Sequence, residues 1–192
     1  LLAAIRRQIA NEDKIVRFRP AEGIRQTIQV LAYRARRART EIVADLDESL
    51  EIEGDPNRFS QIAANLLANA IDACEERYAI NESGAPETAV SGKIKADLKK
   101  PDDTISLMIE DNGGGIAPEK QELIWKPFFS TKSGNDRGLG LGLSSTKRLV
   151  EKYFRGRISV ASQLGTGSRF TVEIPENGGG ALSGKESGPI ID

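Results

Sequence analysis

Gly138-Leu139-Gly140-Leu141-Gly142-Leu143-Ser144, preceded by Arg137, is the stretch from which the rest of the chain can be read. Three glycines alternate with leucines, and Ser144 to Phe154 then shows helical periodicity. Without a Cβ, a glycine adopts positive φ at no steric cost and lets a backbone N–H come close to a ligand. At a helix start those amides also carry the positive end of the peptide dipole, which suits an anion such as phosphate. Glycine-rich turns also serve packing, so the reading depends on the signals around this one.

Toward the N-terminus, Asp55-Pro56 supplies an N-cap and a proline at the first helical position, which predicts a helix to about Arg77. At helical spacing Arg58, Gln61, Asn65, Asn69 and Asp72 share a polar stripe, opposite Phe59, Ile62, Ala63, Leu66 and Ala70. Asparagine is a poor helix-interior residue, so two of them one turn apart need a reason. Either an amide oxygen holds a hard cation such as Mg²⁺ without adding negative charge beside a phosphate, or both amides cap backbone groups or face water.

Asp111-Asn112-Gly113-Gly114-Gly115-Ile116 closes a predicted strand. A carboxylate there can accept from an adenine amine over an open glycine floor, or the run is a plain Asp-Asn-Gly turn. In Trp125-Lys126-Pro127-Phe128-Phe129-Ser130-Thr131-Lys132, the paired aromatics are core anchors or cofactor contacts. Lys132 either reaches a terminal phosphate or is solvated. Gly165-Thr166-Gly167-Ser168 alone is an ordinary hairpin turn.

Around these blocks, Ile24, Ile28, Leu31 and Ala35 give Ala21 to Thr40 a helical stripe, with Arg36, Arg37 and Arg39 on a solvated face. Leu1 to Arg19 reads as a helix end that becomes extended before Pro20. Strands are expected at 42–44, 50–52, 93–99, 104–110, 157–161 and 168–174. Asn81 to Gly92 and Trp125 to Arg137 read as loops, and Pro118 starts a short helix. In the last helix Leu143, Leu149, Val150 and Tyr153 face inward. The Gly- and Ser-rich sequence after Glu176 predicts a disordered tail.

The 192 residues suit one domain, and 39% hydrophobic with 29% charged residues describes a folded soluble chain. A net charge of -1 and a pI near 5.8 argue against a nucleic-acid binder that works by gross electrostatics. A single cysteine, Cys74, allows no intrachain disulfide, suits a reducing compartment and reads as a small buried apolar residue. No apolar run approaches the roughly 20 residues that cross a bilayer. Arg6 and Arg7 interrupt the N-terminal apolar stretch, so it does not read as a signal peptide. Histidine is absent, so no imidazole serves as base, metal ligand or phosphate acceptor.

Together, these blocks resemble the catalytic and ATP-binding domain of sensor histidine kinases, in the superfamily shared with gyrase, MutL and a heat-shock chaperone. Asn65-Leu66-Leu67-Ala68-Asn69-Ala70 resembles the N box, Asp111 to Gly115 the G1 box, Pro127-Phe128-Phe129 the F box and Gly138 to Gly142 the G2 box. Gly165-Thr166-Gly167 resembles the last glycine motif. The resemblance implies an α+β fold of the Bergerat type, a two-layer α/β sandwich whose mixed sheet of about five strands carries helices on one face. By it, Asn69 holds Mg²⁺ against the triphosphate, while Asp111 binds the adenine amine in the pocket that Gly113 and Gly115 keep open. Ile116 and Leu143 are apolar walls, and Phe128 belongs to the nucleotide site. The loop Gly138, Leu139, Gly140, Leu141 and Gly142 cradles phosphates, Lys132 sits in a mobile lid, and Thr166 helps close the adenine site.

Hydrolysing members of the superfamily carry a glutamate four residues before the magnesium asparagine. Here that position is Asn65, which has no basic lone pair near neutral pH. The implied activity is therefore transfer of the γ-phosphate of MgATP to a histidine, with slow hydrolysis. A hydrolytic switch of the gyrase or chaperone type and a non-catalytic interaction module are the alternatives. Many relatives have a basic residue where this chain has Asp72 and an aromatic at Ala73. The acceptor histidine would lie on a dimerisation hairpin, and a response regulator would take the phosphate onward. Residues 1–19 are then expected to be a remnant of the hairpin and its linker, 20–176 the catalytic domain and 177–192 the tail. A cytoplasmic, monomeric fragment is expected, cut from a homodimeric kinase that is compatible with a membrane anchor.

Overall fold

A computed structural model describes residues 15–78, 92–129 and 140–176. The expected helix remnant at 1–14, most of the 81–92 loop, Lys132, Gly138, Leu139 and the tail lie outside the described residues. The chain forms β1 (Val16–Phe18), α1 (Pro20–Arg37), β2 (Thr40–Leu46), β3 (Ile52–Gly54), α2 (Pro56–Tyr78), β4 (Gly92–Lys99) and β5 (Thr104–Asp111). Two short 3₁₀ turns, Pro118–Lys120 and Leu123–Trp125, lead toward α3 (Gly142–Phe154), and β6 (Arg157–Gln163) and β7 (Gly167–Pro175) follow.

The sheet is mixed, in the order β2-β4-β5-β7-β6, with β2 parallel to β4 and the other pairs antiparallel. Along β5 the alternation is strict: Ile105, Leu107, Ile109 and Asp111 are buried, and their neighbours are not. Ile94, Ala96 and Leu98 on β4, and Phe170, Val172 and Ile174 on β7, line up with them in register. These side chains meet the apolar stripe of α2, where Phe59, Ile62, Ala63, Leu66, Leu67, Ala70, Ile71 and Cys74 are all buried. The other face of the sheet is covered by charge, including Lys95–Asp97 at 2.8 Å and Lys99–Asp45 at 3.0 Å.

Helix α1 packs beside α2 with Ile24 and Ala35 buried and Ile28 and Leu31 partly so. In α3, Val150 is buried as expected, while Thr146 and Phe154 join it and Leu143, Leu149 and Tyr153 are only partly buried. Residues 50–52, expected as a strand, instead form one at Ile52–Gly54, because it pairs antiparallel with β1 in a separate two-stranded ribbon. The sequence alone predicts only an extended segment at β1. Its Phe18 meets Phe59 edge-to-face at 5.8 Å, and Phe59 meets Phe154 at 6.0 Å, so the ribbon closes the core between α2 and α3.

Candidate functional site

The N-terminus of α2 is set by Asp55, whose Oδ1 accepts from the amide of Asn57 at 2.8 Å. With that start fixed, Arg58 and Asn65 of the polar stripe turn toward α3, Arg58 lying over the Tyr153 ring. Asp72 pairs with Arg34 of α1, so it faces that helix. Asn65 Nδ2 donates to the Thr146 hydroxyl at 3.1 Å and reaches the Gly142 carbonyl at 3.5 Å. Thr146, fully buried, donates in turn to Gly142 O at 2.8 Å. Asn65 therefore ties α2 to the first turn of α3, and its amide is not a water-activating base. One turn on, Asn69 opens onto a cavity.

Opposite Asn69, the period-two alternation of β5 delivers Asp111 to the helix-covered face at the very end of the strand. Its carboxylate accepts from the Gly113 N–H at 2.8 Å and from the backbone N–H of Ser168. Burial pushes its pKa up to about 6, against those two hydrogen bonds, and the charge of Glu110 adds a smaller upward push. The turn after Asp111 is locked against α2. The Gly114 amide donates to Ala73 O at 3.3 Å, and a Cβ on Gly113 would lie 2.6 Å from the Ala73 carbonyl carbon. It is also locked against the β6–β7 turn, since Gly115 has φ +70° and a Cβ there would stand 2.0 Å from Gln163 O. Ser162 Oγ accepts the Ile116 amide at 2.8 Å and donates to Gly167 O at 2.9 Å, while Gln121 Nε2 spans Ile116 O and Ser162 O.

The third wall is the start of α3. The first helical hydrogen bond runs from Ser145 N to Leu141 O at 2.9 Å, so the amides of Gly142, Leu143 and Ser144 precede the helical ladder. No side chain caps this end. Gly140, at φ +65°, lies so close to Phe128 and Phe129 that a Cβ would meet the Phe128 carbonyl carbon at 2.6 Å.

The cavity enclosed between these walls has a volume of about 560 Å³. Of the residues expected at the site, Asn69, Asp111, Gly115, Ile116, Gly140, Leu141, Gly142 and Leu143 line it. Among the described residues, four others expected there do not. Asn65 is turned to Thr146, and Gly113 is packed on Ala73. Phe128 has φ +65°, donates its amide to Gly140 O and is 78% exposed, so Phe129 lines the cavity in its place. Thr166 is exposed and borders a different depression, of about 700 Å³, on the charged face of the sheet beside Lys93, Lys95 and Arg169. That depression carries none of the α3 glycine loop, so the nucleotide-type signals converge on the smaller cavity.

Several residues of this site have no signal in the sequence. Ala73, Glu76, Lys120 and Leu164 line the cavity because α2, the 3₁₀ turn and the β6–β7 turn meet there. Ser162, Gln121 and Arg77 hold backbone carbonyls, and such partners leave no motif. Cys74 is buried as expected, with its thiol pKa pushed up to about 11 chiefly by burial and next by the charge of Asp111.

A mixed sheet with helices on one face, and a cavity with a carboxylate at one end and an uncapped helix N-terminus at the other, define an ATP-binding catalytic domain of the kind sensor histidine kinases carry. Residues 54–178 match the model of the histidine kinase-, DNA gyrase B- and HSP90-like ATPases, and the chain belongs to that family. It is 37% identical over 127 residues to the sensor histidine kinase ZraS of Escherichia coli K12, covering 66% of this chain. To the signal transduction histidine-protein kinase AtoS of the same strain it is 32% identical over 156 residues, 80% of this chain. It spans 23% of the length of each. Among solved structures, the catalytic domain of histidine kinase ThkA superposes with a TM-score of 0.69 at 27% identity, over 85% of this chain and 97% of that one. Full-length ShkA in complex with AMPPNP gives 0.69 at 25% identity, over 90% of this chain and 33% of that one.

Proposed function

We propose that this chain binds MgATP in the cavity between α2, the Asp111 turn and the start of α3, and presents the γ-phosphate to a histidine carried by a dimerisation domain. The observation that carries the reading is the convergence on one cavity of Asp111, Asn69 and the uncapped amides of α3. The cavity has the length of chemistry a nucleotide needs: an acceptor for the adenine amine, glycine-lined space, then backbone donors for the phosphates. Among the described residues no group of three His, Cys, Asp or Glu could hold a metal unaided. Asn69 is a neutral oxygen donor, which fits a hard cation that takes its other ligands from phosphate and water. When bound, Mg²⁺ would offset charge on the triphosphate.

The protein's own contribution is positioning and charge stabilisation. Asp111 orients the base, the Gly142, Leu143 and Ser144 amides orient the phosphates, and Asn65 braces the two helices without activating water. The family resemblance gives Lys132, which lies outside the described residues, a charge-stabilising part in the same transfer. The acceptor imidazole attacks the γ-phosphorus, the bond to the β,γ-bridging oxygen breaks, and ADP leaves. A response-regulator aspartate then receives the phosphoryl group. ThkA has been solved in complex with the response regulator protein TrrA, and this chain matches it with a TM-score of 0.65 at 26% identity. Among the described residues no helix is long and apolar enough to cross a membrane. We place the domain in the cytoplasm, within a longer homodimeric kinase whose hairpin precedes it.

Mixing the chain with a separately produced acceptor hairpin and γ-labelled ATP tests this. Acid-labile, base-stable label on the hairpin is expected, with little free phosphate in its absence. Rapid phosphate release without any acceptor would instead establish a hydrolytic switch.

A further inference from the structure

Helix α2 continues past Cys74, its last buried residue, to Arg77 and Tyr78. Arg77 is exposed and is not on the cavity wall, yet its Nη1 donates to three carbonyls: Asn112 O at 2.7 Å, Gly113 O at 2.9 Å and Thr166 O at 3.3 Å. The Tyr78 hydroxyl also donates to Asn112 O, at 3.2 Å. Holding an exposed arginine in one rotamer costs up to about 2 kcal/mol of side-chain entropy, so charge-assisted bonds to several acceptors are what keep it there.

The three carbonyls belong to the two turns that frame Asp111. The Asn112 carbonyl and the Gly113 N–H are opposite ends of one planar peptide unit. Arg77 grips the carbonyl end, and the Asp111 carboxylate accepts from the N–H end at 2.8 Å. A cation on the carbonyl polarises the N–H toward its acceptor. Thr166 O lies two residues before Ser168, whose N–H is the other backbone donor to the same carboxylate. Asn112 is further pinned by its Oδ1, which accepts from Lys93 N at 2.7 Å.

We propose that Arg77 is a positioning residue that fixes the Asp111 carboxylate through the Asn112–Gly113 peptide and the Thr166 turn, and so sets selectivity for adenine without touching the nucleotide. This rests on the ATP-binding reading above. Inosine triphosphate carries an oxygen where ATP carries the exocyclic amine, so the ratio of the two affinities isolates the base contact from the phosphates.

Calorimetric titration of the full chain with ATP and with ITP, for the parent, Arg77→Ala and Arg77→Lys, tests it. Arg77→Ala is expected to weaken ATP by about tenfold, the size of one charge-assisted hydrogen bond, with ITP changed less than about twofold. Arg77→Lys, a point charge able to meet only part of the carbonyl set, should fall between. Combining Arg77→Ala with Asp111→Asn should lower the ATP preference no further than Asp111→Asn alone. An unchanged ATP:ITP ratio in Arg77→Ala overturns the proposal, and so does equal weakening of both nucleotides, which would mean a sugar or phosphate contact or general loss of structure. A parent chain that binds neither nucleotide would refute the ATP-binding reading itself, an outcome separate from these.

Discussion

Replacing Asp111 by asparagine changes one heavy atom and tests the proposed adenine contact at that end of the cavity. The carboxylate is buried, accepts two backbone N–H groups and has a pKa near 6. A hydrogen bond from the adenine amine to an ionised acceptor contributes about 1.5–3 kcal/mol, so its loss should weaken ATP by roughly 10- to 150-fold. The asparagine oxygen would keep the Gly113 N–H, which turns its NH₂ toward the adenine amine, donor against donor. ITP, with an acceptor at that position, should lose far less.

The titration gives a second readout with a definite sign. An unfolded aspartate ionises near pH 4, whereas Asp111 in the fold ionises near 6. Between those values the folded chain keeps a proton that the unfolded chain has lost, so stability falls as pH rises and the penalty is complete above about pH 6. A shift of about two units corresponds to something on the order of 3 kcal/mol. Asp111→Asn should remove this contribution to the slope. ATP affinity relative to ITP should also decline below pH 6 in the parent and not in the variant, with the titration of the shared triphosphate cancelling in the ratio. Calorimetry and urea unfolding from pH 4.5 to 8 measure both. Equal ATP affinity for parent and variant at pH 7.5 would refute the reasoning.

Asn69→Ala should abolish the dependence of ATP affinity on Mg²⁺, and titrations with magnesium and with chelator decide it; a persisting dependence would count against the metal assignment. Among the described residues, Thr146→Val leaves the Asn65 amide only its 3.5 Å contact with Gly142 O, and it should cost about 1–2 kcal/mol, visible as a melting point lowered by several degrees. Adjacent glycines should behave oppositely in chemical denaturation. Gly115→Ala meets Gln163 O at positive φ and should cost ~2 kcal/mol or more, whereas Gly114→Ala meets nothing within 4 Å and should be neutral or slightly stabilising.

What could be read in advance follows from the range of the interactions involved. The α2 stripe, the alternation that buries Asp111 and the glycine run opening α3 are periodic or local, so residue order alone displays them. Strand β1 escaped because Val16-Arg17-Phe18 alternates over three residues only, too short a run to stand out; its partner, β3, is more than thirty residues away, and pairing decides its state. Which of Phe128 and Phe129 enters the cavity depends on a left-handed backbone at Phe128, set by contact with Gly140. Asn65 could be recognised as lacking a base, but its bond to Thr146 spans 81 residues. Arg77, Gln121 and Ser162 act on main-chain atoms, which every residue possesses, so nothing in their neighbours' identities announces them.

The alternation along β5 also makes the proposed base recognition a matter of reading frame. Ile105, Leu107, Ile109 and Asp111 share one side of the strand only because an odd number of residues separates each from the next on that side. Dropping a single residue between Thr104 and Asp111 would swing the carboxylate out toward Arg169 and present a different side chain to the pocket. Length variation in this part of the chain is therefore tolerable in the Lys100–Asp103 turn and not within the strand, whatever the hydrophobicity of the residue removed.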